Sequence, residues 1–147
     1  MLMLQTFIFL FIAGLIVFGF IVGVYQQIKD KMVKKSVIKI WGTYEDLLRL
    51  HNRVVKILTI NPGQKISNQH HLKRSEIWTI LSGTGEVCLQ DEHSLTILSL
   101  QPGTRFEVDV GVWHQVKADD DSTLVVLELQ DGESCDENDI IRKEDVL

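Results

Sequence analysis

Cysteine is scarce in this sequence: Cys88 and Cys135 are the only two in 147 residues. Their separation fits neither a zinc-ligand pattern nor a CxxC redox pair, which leaves at most one disulfide and, more simply, two thiols. Charge is missing altogether ahead of Lys29. Basic residues are outnumbered further on. From residue 40 onward 10 Lys and Arg face 19 Asp and Glu, a balance of −9. Such an acidic domain lacks the basic face that a phosphate backbone requires, so nucleic acid is not an expected partner. No internal repeat and no low-complexity tract is present. The length allows one domain with a true core and not two.

What the N-terminus does contain is an apolar run. Phe7 to Tyr25, "FIFLFIAGLIVFGFIVGVY", is 19 residues without a charge. As a helix it would be about 28 Å long, close to the ~30 Å hydrocarbon layer of a bilayer. A cleaved signal peptide would carry a positive n-region and a shorter apolar stretch. "MLMLQT" offers no Lys or Arg. The run therefore predicts a single transmembrane anchor, and a helix apolar on every face fits a soluble core poorly. Five lysines follow (Lys29, Lys31, Lys34, Lys35 and Lys39) against Asp30. The positive-inside rule then puts the rest of the chain on the cytoplasmic side of a single-pass membrane protein.

After Ser36 the pattern becomes β. "RVVKILTI", "EIWTIL", "GEVCLQ", "HSLTILSL", "TRFEVDV", "WHQVK" and "STLVVLELQ" are short runs rich in Val, Ile, Leu and Thr,. Turn signals separate them at Asn61-Pro62-Gly63, Ser82-Gly83-Thr84-Gly85, Gln101-Pro102-Gly103, Asp119-Asp120-Asp121 and Asp131-Gly132,. Many short strands with such turns predict an all-β sandwich or barrel. Tyr44 to Asn52, "YEDLLRLHN", is open to a short helix, and the polar tail from Asp131 is expected to wrap the surface.

One stretch carries chemistry: "NQHHLKRSEIW", Asn68 to Trp78. Gln69 and His71 are two apart, so on a strand they share a face while His70 points away. Glu76 and the distant His114 complete a mixed N/O set for a divalent cation. Two adjacent histidines alone would be an exposed polar pair, but their spacing argues for more. Gly63, Gln69-His70-His71, Glu76 and Gly83 resemble the first cupin motif, with Gln in place of its first His. Gly103, Asp109, Gly111 and His114 resemble the second, with Asp109 replacing the usual Pro and Ala118 the usual Asn. The resemblance implies a double-stranded β-helix, or jelly-roll, barrel. The chain would then divide into a transmembrane anchor (1–28), a basic juxtamembrane linker (29–37) and a cupin domain (38–147).

A narrower resemblance follows. "WGTYEDL", "VVKILTINPGQKISNQHHLKRSEIWTILSGTGEV" and "DENDIIRKEDV" are similar to the type II phosphomannose isomerase domain, commonly the C-terminal part of bifunctional mannose-1-phosphate guanylyltransferases. No Gly-rich nucleotide loop for a guanylyltransferase half is present. The resemblance implies Gln69, His71, Glu76 and His114 as ligands of a divalent metal, with zinc the expected ion. It implies a sugar-phosphate substrate, and a homodimer is an admissible assembly. Lys73 and Ile77 stand where the family often has His, while Arg74, Ser75, Glu76 and Trp78 follow its pattern.

Interconverting mannose 6-phosphate and fructose 6-phosphate needs carbonyl polarisation, a base for the C2 proton and a cation for the phosphate. Arg74 suits the phosphate or the developing oxyanion through its planar fork, with a surface ion pair as the plain alternative. Lys65 shares the strand parity of Gln69 and is a candidate for proton transfer or substrate contact. Trp41, Trp78 and Trp113 read as packing residues, and His51 and His93 as surface. The alternative function is a membrane-tethered cupin that binds a sugar or nucleotide sugar without turnover. Oxygenation fits less well, because Gln69 departs from the usual iron facial set.

Overall fold

The computed structural model describes residues 35–147. The apolar run, the transmembrane helix expected from it and residues 29–34 of the basic linker lie outside the described residues. Among the described residues no helix is long and apolar enough to cross a membrane. The described residues form eleven strands in two antiparallel sheets. The first holds β1 (Lys35–Lys39), β2 (Gly42–Arg49), β3 (Arg53–Ile60), β10 (Leu124–Gly132), β5 (Arg74–Ser82) and β8 (Arg105–Val108), in that spatial order. The second holds β11 (Ile140–Lys143), β4 (Asn68–His71), β9 (Trp113–Ala118), β6 (Gly85–Gln90) and β7 (Leu95–Leu100).

Each of the seven expected strands is found, and β3 and β6 coincide end to end with "RVVKILTI" and "GEVCLQ". Four elements differ from expectation or add to it. The stretch open to a helix, Tyr44 onward, belongs to strand β2, paired to both β1 and β3 with an irregularity between Asp46 and Leu48. Strand β1 starts inside the expected linker, at Lys35. The polar tail forms a 3₁₀ turn, Glu137–Asp139, and then β11, which pairs with β4. "NQHH" is a strand in its own right, β4.

The core lies between the sheets. Leu58, Ile60, Trp78, Ile80, Phe106, Val108, Leu124 and Val126 face in from the first, and Val87, Leu100, Val116 and Ala118 from the second. Inward residues alternate along the strands because successive Cβ atoms point to opposite faces. That alternation continues past the apolar zone into polar residues. Strand β3 runs inward as Ile60, Leu58, then Lys56; β10 as Leu124, Val126, then Glu128 and Gln130; β5 as Ile80, Trp78, then Glu76 and Arg74. All five polar residues are buried. One end of the barrel interior is thus apolar and the other ionic. Burying such groups is costly unless they are paired, so the ionic end marks the candidate functional site.

Both cysteines are buried and unpaired. Gln115, fully buried on β9, fastens the tail from within. Its Nε2 donates to the Ile66 carbonyl and to Asp145, and its Oε1 accepts from the backbone N–H groups of Val146 and Leu147.

Candidate metal centre and its cavity

Glu76 sits at the centre of the ionic end. Its Oε1 lies 3.1 Å from His71 Nε2 and its Oε2 3.5 Å from His114 Nε2. The two imidazole centroids are 5.2 Å apart. One ligand atom from each of the three residues falls within 4.8 Å of the others, and all three side chains are buried. Other groups fix the carboxylate. Arg74 Nε donates to Oε1 at 3.1 Å, Trp78 Nε1 to Oε2 at 3.0 Å, and Gln130 Nε2 to Oε1 at 3.2 Å. Burial pushes the Glu76 carboxyl up, but the His71 hydrogen bond and the charges of His114, His71 and Arg74 outweigh it. The net effect holds it well below the ordinary carboxylate range,. Burial likewise lowers the His114 imidazole, favouring its neutral, ligating form.

The donor set fits a divalent cation. His114 Nδ1 faces the Val112 carbonyl at 3.1 Å, and since a carbonyl only accepts, the proton belongs on Nδ1,. Nε2 is then a bare lone pair turned toward Glu76, and it is buried without a hydrogen-bond partner among the described residues. A buried acceptor left in this way is costly, and a metal ion would satisfy it. The ring held through Nδ1 by a carbonyl is the usual arrangement around a metal-ligating histidine.

Gln69 and His114 are register partners across the β4–β9 ladder. The Gln69 Oε1 accepts from Ser67 Oγ at 2.9 Å, and the side chain borders a cavity of about 790 Å³. Glu76 and Arg74 also border it, together with Lys56, Lys65, Glu128 and Gln130. Arg74 is no surface ion pair: its side chain is 1% exposed. Its Nη1 donates to the Asp136 carbonyl, and Nη2 stands 3.4 Å from His71 Nε2. Much of its fork is therefore committed to holding the site. Lys65 lies outside β4, in an isolated bridge to Lys117, with Nζ 3.2 Å from Asp145 and donating to the Leu147 carbonyl. His70 points away from the site as parity demands, and its ring stacks on Trp113 at 4.2 Å. His51 and His93 are exposed.

Three residues at this end were not singled out from sequence: Lys56, Glu128 and Gln130. Glu128 pairs with Lys56 across one ladder and with Trp78 across the other. Burial, reinforced by the negative charge of Glu76, pushes the Glu128 carboxyl up to about 8. Burial alone would lower Lys56, but Glu128 and Glu137 raise it, the latter through an ion pair of 2.5 Å. The signal was available. In "RVVKILTI" and "LVVLELQ", Lys56, Glu128 and Gln130 occupy the same parity as the core residues Leu58, Ile60, Leu124 and Val126.

Two antiparallel sheets closing over a buried His-Glu-His set define a small β-barrel of the cupin type. Solved structures share this architecture. The capsular polysaccharide assembling protein CapF from Staphylococcus aureus superposes with a TM-score of 0.64 at 18% identity, over 75% of this chain and 31% of that one. Oxalate decarboxylase from Bacillus subtilis gives 0.66 at 18% identity, over 74% and 30%. Residues 26–145 match the family described as "Mannose-6-phosphate isomerase C-terminal", and the chain belongs to that family. Xanthan biosynthesis protein XanB of Xanthomonas campestris pv. campestris is 34% identical over 111 residues, covering 76% of this chain and 23% of that protein. Alginate biosynthesis protein AlgA of Pseudomonas aeruginosa is 31% identical over 111 residues, covering 76% and 22%. The chain thus spans about a quarter of the length of these curated relatives.

Proposed function

We propose that the protein is a metal-dependent aldose-ketose isomerase that interconverts mannose 6-phosphate and fructose 6-phosphate. The observation that carries this reading is the buried His71–Glu76–His114 set, with Glu76 on the wall of a cavity large enough for a sugar phosphate, in a chain of this family. His71, Glu76 and His114 would hold the cation, with Gln69 as a fourth donor from the cavity wall. Zinc is the proposed ion; the oxalate decarboxylase of Bacillus subtilis, a neighbour in fold, is described with Mn(II) centres. Such an ion supplies Lewis acidity toward the sugar oxygens. The protein's own groups do the rest. Arg74, Trp78 and Gln130 orient Glu76. Lys65 and Arg142 bring positive charge to the cavity wall for the phosphate.

The departures from the family pattern spare this wall. Lys73 is exposed, Ile77 has the outward parity of β5, and neither borders the cavity. Asp109 is exposed as well. This supports turnover over the alternative of a cupin that only binds a sugar or nucleotide sugar. Tethering to a membrane through residues 1–28, with the cupin in the cytoplasm, remains part of the proposal. It rests on the uncharged run Phe7 to Tyr25 and the lysines after it.

The test is a coupled assay for fructose 6-phosphate with the full chain loaded in turn with zinc, manganese and cobalt, beside elemental analysis. Turnover by wild type, abolished in His71→Ala and His114→Ala together with metal content, is the expected result. Metal binding and saturable sugar-phosphate binding without turnover would favour the binding module. No metal under any loading condition would end the reading. Resistance of the chain to alkaline carbonate extraction tests the tether, and a product beginning near residue 25 would show cleavage instead.

A further inference from the structure

The isomerase reading leaves the proton carrier unassigned. We propose that Glu128, held beside Lys56, is the catalytic group that moves the proton between C2 and C1 of the sugar phosphate in this cavity. This rests on the isomerase reading and goes beyond it by naming the residue.

Four observations converge on Glu128. It borders the cavity together with Gln69 and Glu76, so a substrate that fills this cavity lies against this carboxyl and against two of the four proposed donors. It is not one of the candidate ligands, whose roles are filled by His71, Glu76 and His114. Its orientation is fixed: Gln130 Nε2 donates to Glu128 Oε1 and to Glu76 Oε1, tying the two carboxylates to one amide. It is the register partner of Lys56 across the β3–β10 ladder, which sets a buried cation across from it.

A structural purpose accounts for it poorly. Glu128 follows Leu124 and Val126 on the inward face of β10, where an apolar residue would extend the core. A buried carboxyl beside a buried ammonium usually adds nothing to stability over well-packed apolar residues. The surroundings suit reversible proton transfer. Burial raises the carboxyl above the ordinary range in the metal-free protein, which makes its carboxylate a stronger base than an exposed glutamate,. The Lys56 ammonium, across the ladder, favours the ionised form that must accept the proton.

The step balances without an outside oxidant. Glu128 takes the proton from C2 of the open-chain aldose. The C2–H electron pair becomes the C1–C2 double bond, and the C1 carbonyl pair moves to O1. The O2 proton passes to O1, C2 becomes the carbonyl carbon, and Glu128 returns its proton to C1. C1 is reduced by two electrons and C2 oxidised by two.

The experiment compares wild type, Glu128→Gln, Glu128→Asp and Lys56→Met in the full chain. It measures kcat, KM, metal content, thermal melting and solvent deuterium entry into the sugar by NMR. Glu128→Gln is expected to keep metal, fold and KM, to lose about 10³-fold in kcat, and to lose solvent exchange in parallel. Glu128→Asp should recover part of the rate. Glu128→Gln within about tenfold of wild type would overturn the assignment, and so would a loss of rate that tracks loss of metal or fold. A wild type inactive with every metal would instead remove the isomerase reading, and this assignment with it.

Discussion

Arg74 and Glu76, two positions apart on β5, are joined by an Nε to Oε1 hydrogen bond of 3.1 Å, with both side chains 1% exposed. The guanidinium therefore serves the carboxylate that the two histidines face. Removing it leaves Glu76 as a buried charge short of a partner, a change that costs about 3–5 kcal/mol. Arg74→Ala should lower stability by that order and weaken metal binding. Arg74→Lys should recover little, because one ammonium cannot reach Glu76, the Asp136 carbonyl and His71 together,. Lys73→Ala should stay within about 0.5 kcal/mol of wild type, since that side chain is exposed and the residue is held only through its backbone, the N–H to Asp139 and the carbonyl to the Glu133 N–H,. Denaturant melts with metal analysis check all three.

Glu128 makes stability depend on pH in a direction opposite to an ordinary paired carboxylate. Folded, it titrates near about 8; unfolded, near 4.5. Between those values the native state holds more protons than the unfolded one, so stability falls as pH rises. The metal-free protein should lose stability from pH 5 to pH 8, by on the order of a few kcal/mol from this group. Glu128→Gln, which carries the neutral shape at every pH, should flatten that fall. Melting curves of the two proteins across this range decide it; equal slopes would place the proton elsewhere.

Much of this architecture is visible in the sequence, and the exceptions have causes. Strands such as β3 and β6 have strong apolar alternation and turn residues on both sides, so local pattern and tertiary role agree,. Strand β2, "GTYEDLLR", contains good helix formers, yet its backbone pairs on both edges, and that ladder overrides local propensity,. Strand β11 is four residues in a polar tail, ordered by β4 and by the grip of Gln115 further along. The metal set is legible because His71 and Glu76 are close in sequence and the motif spacing reaches His114. Lys56 and Glu128 are 72 positions apart, each one charge in an apolar run, and only the ladder brings them together.

Glycine at two predicted turns differs in what surrounds it. Gly83 and Gly103 both have left-handed backbone, φ +82° and +88°. A Cβ at Gly83 would stand 2.1 Å from the Thr123 carbonyl oxygen, whereas at Gly103 nothing lies within 4 Å. Gly103→Ala should cost only the conformational penalty, about 1–2 kcal/mol. Gly83→Ala should cost clearly more, because backbone must shift on both sides of the contact. Urea midpoints at equal m-value test the ranking, and equal losses would refute the close approach.

Lys65 contacts the tail in a way that makes it exchangeable. Its ammonium is 3.2 Å from Asp145, with side chains 36% and 47% exposed, and a pair that open is worth about 0–1 kcal/mol,. It also borders the cavity, as Asp145 and Arg142 do. A phosphate dianion offers more charge than one carboxylate and should draw the ammonium away from Asp145. Lys65→Met is therefore expected to leave folding stability within about 1 kcal/mol. It should raise the KM for the sugar phosphate and leave kcat nearly unchanged, as removal of uniform binding does. Asp145→Asn should act in the opposite sense by freeing the ammonium, lowering KM and strengthening inhibition by inorganic phosphate. Steady-state kinetics at fixed ionic strength distinguish this from the proton-transfer role that strand parity also suggested for Lys65. A large fall in kcat with KM unchanged would return Lys65 to the chemistry and away from phosphate binding.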